Sequence, residues 1–108
     1  MNNYLFIESR GLFESGTASS FFTLARDVAL QGGTVEIFLV QNGVLSARSG
    51  ARADGLMAAL HGGINVLADD FSLKERALSR EQLARGVKTA PIGVVIDRMA
   101  EGWKVLWH

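Results

Sequence analysis

Leu30-Gln31-Gly32-Gly33-Thr34-Val35-Glu36-Ile37-Phe38-Leu39-Val40 is the stretch that decides the fold. It closes a helix on glycine and opens a run of apolar and β-branched residues within two positions. Glycine suits the place just past a helix because it enters the left-handed region without a Cβ penalty. The run that follows barely alternates. A strand with one wet face alternates apolar and polar residues, whereas a strand covered on both faces reads as nearly continuous apolar sequence. Residues 35–40 are of the second kind, and such strands belong to parallel sheets between layers of helices.

Working outward, the same transition recurs. Leu60-His61-Gly62-Gly63-Ile64-Asn65-Val66 repeats it closely, and Leu83-Ala84-Arg85-Gly86-Val87 and Met99-Ala100-Glu101-Gly102-Trp103 repeat it more weakly. Helix, glycine, strand, repeated along a chain, is the pattern of a parallel sheet with crossover helices. Strands are therefore expected at residues 4–7, 35–40, 64–68, 87–89 and 103–107. Ala18, Phe21, Phe22, Ala25, Val28 and Ala29 share one face of a helix, with Ser19, Thr23, Arg26 and Asp27 opposite and Thr17 as N-cap. Residues 44–60 should hold one or two short helices, broken around Ser49-Gly50. Ser79-Arg80-Glu81-Gln82 fits a capping box that opens a short helix ending near Arg85. Residues 91–99 are ambiguous, because Ile92-Gly93-Val94-Val95-Ile96 resembles a strand. Ile92, Val95, Ile96 and Met99 also keep helical spacing behind Pro91, with Gly102 to close, and helix is the preferred reading.

Composition narrows the function. At 108 residues, 48% of them hydrophobic, the chain is one domain, 1–108, with enough apolar surface for a core. Eleven basic residues balance eleven acidic ones, so no global field draws a polyanion, and direct nucleic-acid binding is not expected. There is no cysteine, which excludes disulfides, thiolate chemistry and Cys-ligated zinc. With only His61 and His108 to offer imidazole, a multi-His metal site is ruled out, and neither metal nor cofactor is expected. The first apolar run is too short for a signal-peptide core, and nothing approaches transmembrane length. The expectation is a soluble, cytoplasmic protein.

In order, these segments resemble the DsrE/DsrF/DsrH-like family, which includes the Tus sulfur-relay proteins. Residues 35–44, ending Gln41-Asn42-Gly43-Val44, are similar to the family's second strand and its Gln/Asp-Gly-Val turn. Residues 66–78 are similar to its third strand, active loop and arginine-bearing segment. The closing helix, glycine and tryptophan-ended strand most resemble the DsrH/TusB branch. The resemblance implies a three-layer α/β/α domain of flavodoxin-like architecture with five parallel strands, the third and fourth on one side of the first and the fifth on the other. It also implies trimers or hexamers, formed by one chain type or with cysteine-bearing DsrE/DsrF-like subunits. Sulfur-transferring members carry a persulfide cysteine after the third strand. That position, counted back from Arg76, is Asp69 here, and a carboxylate cannot hold sulfane sulfur. The resemblance therefore implies a non-catalytic subunit of a sulfur-oxidation or tRNA 2-thiolation complex, with Asp69, Asp70, Ser72 and Arg76 at the active-loop positions.

Physical reasoning locates a candidate site independently. Ligands of open parallel sheets bind beyond the carboxyl ends of the strands. Ser9 and Arg10 follow the first strand, Gln41 and Asn42 the second, and Asp69, Asp70 and Ser72 the third, so all should share one solvent-accessible rim. A stand-alone protein binding a small anion there, clamped by Arg10 beside Gly11, is the alternative to a docking subunit. An enzyme using Asp69 or Asp70 as general base is a third reading. Against these, adjacent carboxylates after a strand more often cap a helix, and a loop arginine is more often solvated. Ser72 has no readable histidine partner for a hydrolase triad. The glycine pairs precede strands instead of linking strand to helix, so they are not a phosphate cradle. His61 in a last helical turn suits the helix dipole. Trp103 and Trp107, at even spacing on the last strand and hence on one face, are either core or an interface.

Overall fold

Five strands form one parallel sheet: β1 (Asn3–Glu8), β2 (Thr34–Leu39), β3 (Asn65–Asp69), β4 (Lys88–Ala90) and β5 (Lys104–Trp107). Their order is β4-β3-β2-β1-β5. The helices are α1 (Ala18–Leu30), α2 (Asp54–His61), α3 (Asp70–Glu75) and α4 (Gly93–Ala100), with 3₁₀ turns at Gln41–Ala47 and Arg80–Gln82. This computed structural model describes residues 2–14 and 16–108.

Side-chain alternation along the strands separates two apolar layers. Phe6, Ile37, Leu39, Val66 and Ala68 pack on one face with Phe22 and Ala25 of α1 and Leu56 and Ala59 of α2. Leu5, Ile7, Phe38, Val40 and Leu67 pack on the other with Val95 of α4. Handedness accounts for this division. The connections from β1 to β2 to β3 step in one direction and place α1 and α2 on one face. The return from β4 to β5, beyond β1, must place α4 on the opposite face if the crossover is right-handed. The domain is α/β with a covered, all-parallel sheet, as the unalternating strands require.

Three glycines that end helices behave as the sequence demands: Gly32, Gly63 and Gly102 adopt φ of 100°, 92° and 86°; Gly86 is also left-handed, at φ 98°, but lies in a turn beyond the extended Leu83. Residues 93–100 are helical, which settles the ambiguous segment after Pro91. Two local expectations need correction. Thr17 precedes α1 without capping it through its side chain, because its hydroxyl turns to His108 Nε2 at 2.8 Å. The Ser79 capping box forms, but the turn stops at Gln82 instead of reaching Arg85. Buried Leu83 is extended there and bridges to Arg48, which draws the chain off the helical path. The segment after β3 is the helix α3, with Leu73 buried and Asp69 as its N-cap, in keeping with the capping reading of the adjacent carboxylates.

One polar clasp fixes α4 to the sheet. Glu36, in the middle of β2, is buried on the α4 face. Arg98 grips it through Nε to Oε1 at 2.8 Å and Nη2 to Oε2 at 3.2 Å, and Asn65 Nδ2 donates to Oε2 at 2.9 Å. The guanidinium also lies 4.9 Å over the Trp103 ring. Burial opposes ionisation of Glu36, but the Arg98 and Asn65 donors outweigh it and hold the carboxyl below 4.5. Among the described residues no helix is long and apolar enough to cross a membrane.

Candidate functional site

The carboxyl end of β3 is built on Asp69. Its Oδ2 accepts the Ser72 amide at 3.0 Å and the Ser72 hydroxyl at 2.6 Å, the arrangement of a helix N-cap. Ser72 Oγ in turn accepts the Gln41 amide at 2.8 Å, which joins the start of α3 to the turn after β2. Gln41 holds the left-handed conformation at φ 51°, unusual for a residue with a Cβ. The chain then brings Gly43 so close to β1 that a Cβ there would overlap the Glu8 carbonyl oxygen.

Arg76 is committed to the same framework. Its Nε and Nη2 donate to Asn42 Oδ1 at 3.0 and 2.9 Å, and Nη1 donates to the Ser72 carbonyl at 3.1 Å. Nearby, the Gly11 amide donates to Glu14 Oε1 at 2.7 Å. That hydrogen bond lowers the Glu14 pKa, with slight desolvation opposing it and Asn42, Arg10 and Arg76 assisting.

A second cluster lies at the ends of β1 and β5. Glu8 is fully buried, and its carboxylate receives His108 Nδ1 at 2.7 Å and the Arg10 amide at 3.1 Å. Beside this carboxylate Nδ1 carries the hydrogen and donates, and Nε2 meets the Thr17 hydroxyl at 2.8 Å. Phe21 stacks on the imidazole at 5.3 Å, and Ser9 ties to the His108 carbonyl through both amide and hydroxyl at 3.0 Å. Trp107 Nε1 donates to Ser9 Oγ at 3.3 Å.

Between these clusters, on the α4 side, runs a groove of about 220 Å³ lined by Val40, Gln41, Asp69, Phe71, Ser72, Glu75, Ile92 and Trp107. Residues from beyond β2, β3 and β4 meet the end of β5 there. Phe71, Ile92 and Trp107 are all exposed, and the lining carries two carboxylates and no basic side chain. Its chemistry is therefore that of a hydrogen-bond acceptor with aromatic walls.

The rim inferred from chain order exists, but it is not uniformly open. Asp69 and Ser72 are buried at 5% and 3% exposure, whereas Asp70 and Gln41 are exposed. The expectation of a solvent-accessible Asp69 and Ser72 is corrected, because the cap draws both side chains inward. Arg10 is exposed beyond β1, Asn42 is half-buried against Arg76, and Ser9 faces β5 instead of α3. The two tryptophans part company. Trp103 is half-buried under Arg98 against the α4-side core, while Trp107 is 64% exposed. His61 lies exposed in the last turn of α2.

Sequence reasoning missed Glu8 and His108, which stand 100 residues apart and belong to no motif. It also missed the Glu36–Arg98 pair, for which a signal was present: a lone charge inside a buried apolar strand needs a partner. Phe71 and Glu75 escaped notice as parts of an active loop.

No family model matches the chain, and no curated protein matches it. Solved structures do match over the whole fold. MTH1491 from Methanobacterium thermoautotrophicum, a protein of unknown function, is 18% identical with a TM-score of 0.85, covering 100% of both chains. The ychN protein from E. coli is 16% identical with a TM-score of 0.89 and the same full coverage. BT1422 from Bacteroides thetaiotaomicron, a conserved protein of unknown function, is 13% identical with a TM-score of 0.80, covering 99% of this chain and 95% of its own. At such identities the likeness establishes a shared fold.

Proposed function

We propose that this chain is a non-catalytic, docking subunit of a cytoplasmic sulfur-relay assembly of the DsrH/TusB kind, serving sulfur oxidation or tRNA 2-thiolation without touching nucleic acid itself. One observation carries the reading. At the position where sulfur-carrying relatives place their cysteine, Asp69 is spent as a buried helix cap, while the adjoining rim presents Phe71, Ile92 and Trp107 to solvent. Ile96 and Met99 extend this apolar surface along the outer side of α4. Aromatic and aliphatic side chains in that density are typical of interface cores. The partners are cysteine-bearing DsrE/DsrF-like subunits, and copies of the chain itself when it is made alone.

The test has a chemical arm and a docking arm. Incubation with a persulfide-charged donor should add no sulfur to this chain by mass spectrometry; a stable adduct removes the non-catalytic reading. Co-expression with a cysteine-bearing DsrE/DsrF-like subunit should give a complex that Trp107→Asp and Ile96→Asp disrupt while leaving each chain folded. Recovery of the two chains as separate species refutes docking.

A further inference from the structure

We propose that the groove at the carboxyl rim binds a small organic cation, of the alkylammonium class. The starting point is an orphaned atom. Asp69 is one wall of the groove and is 5% exposed, its Oδ2 is engaged by Ser72, and its buried Oδ1 has no hydrogen-bond partner among the described residues. A buried carboxylate oxygen without a donor is costly, and native structures seldom leave one without a water, ion or ligand to satisfy it. The lining specifies what kind of donor. Glu75 adds a second carboxylate, exposed at the mouth, and Gln41 offers an amide. Phe71 and Trp107 supply aromatic faces, to which a cation is attracted by the ring quadrupole. Val40 and Ile92 suit a short alkyl stem.

An anion is disfavoured on the same grounds. Of the two basic residues that flank Glu75, Lys74 is exposed and outside the lining, and Arg76 spends its guanidinium on Asn42, the Ser72 carbonyl and, at 3.8 Å, Glu75. Size narrows the class further: 220 Å³ is about seven water volumes at ~30 Å³ each. That is room for a compact amine. The proposal does not depend on the docking reading, since it concerns the free chain and a small molecule.

The experiment is a ¹H–¹⁵N titration of the full chain with n-butylammonium chloride, beside sodium butyrate and n-butanol at equal concentration. Saturable shifts are expected at the Trp107 indole N–H and the Gln41, Phe71 and Ser72 amides with the ammonium, and not with butyrate or butanol. Asp69→Asn, which keeps an oxygen for the Ser72 donors, should weaken binding roughly tenfold. Glu75→Gln, on an exposed side chain, should weaken it by roughly two- to fivefold without affecting folding. Equal responses to all three probes, shifts that never saturate, or affinity unchanged in both variants would overturn the proposal.

Discussion

A methyl group at position 43 has to occupy the space of the Glu8 carbonyl oxygen, which belongs to the backbone of a buried strand and has nowhere to go. Gly43→Ala should therefore lower unfolding stability by about 1–3 kcal/mol, the usual penalty of overpacking, with the urea midpoint as the measure. Gly93→Ala, at the first position of α4 with open space around it, is the control and should leave stability unchanged or raise it. The contrast isolates close approach from the general loss of a glycine. It also bears on the site, because Gly43 sits between Asn42, which holds Arg76, and the strand that carries Glu8.

Among the described elements, α4 is the helix that packs on its face of the sheet, and Glu36 lies beneath it in the grip of Arg98. Arg98→Met leaves that carboxylate without its main donor and should cost about 2–3 kcal/mol near neutral pH. Because the native carboxyl titrates below 4.5, the clasp contributes fully above that value and is lost as pH falls through the lower native one. The gap between variant and parent should thus narrow in acid, as urea melts across pH 3 to 7 will show. A gap constant with pH would assign the loss to packing against Trp103. Element identities were legible wherever backbone chemistry is written in the residues. Three glycines at left-handed turns announced three αβ junctions, and continuous apolar runs announced a sheet covered on both sides. The left-handed Gln41, the early stop of the Ser79 turn and the pairing of Arg76 with Asn42 were not legible. Each is decided by a neighbour more than thirty residues away, and local propensity carries no record of it.

At the scale of the molecule, the two faces of the sheet are dressed unequally. α1 and α2 cover one, while the eight-residue α4 covers the other and turns Ile96 and Met99 outward beside Trp107. A domain this small covers its apolar surface with difficulty, and association supplies what short helices cannot. The docking reading predicts a trimer or hexamer by light scattering coupled to size exclusion. Trp107→Ala should then yield a smaller species that remains folded, since this ring is mostly outside the core. A monomer mass that persists at high micromolar concentration contradicts that expectation.

β1 and β5 are neighbours and parallel, with Tyr4 opposite Lys104 and Ile7 opposite Trp107. Tension applied at residue 3 and at residue 107 therefore pulls the two strands past each other along their length. The ladder between them is strained in shear, with every rung resisting at once, instead of opening one rung at a time from an end. The His108–Glu8 and Ser9–His108 links lie at the same end and must slip together with it. A sheet arranged this way yields abruptly when it is pulled between residues 3 and 107, because its rungs must fail together.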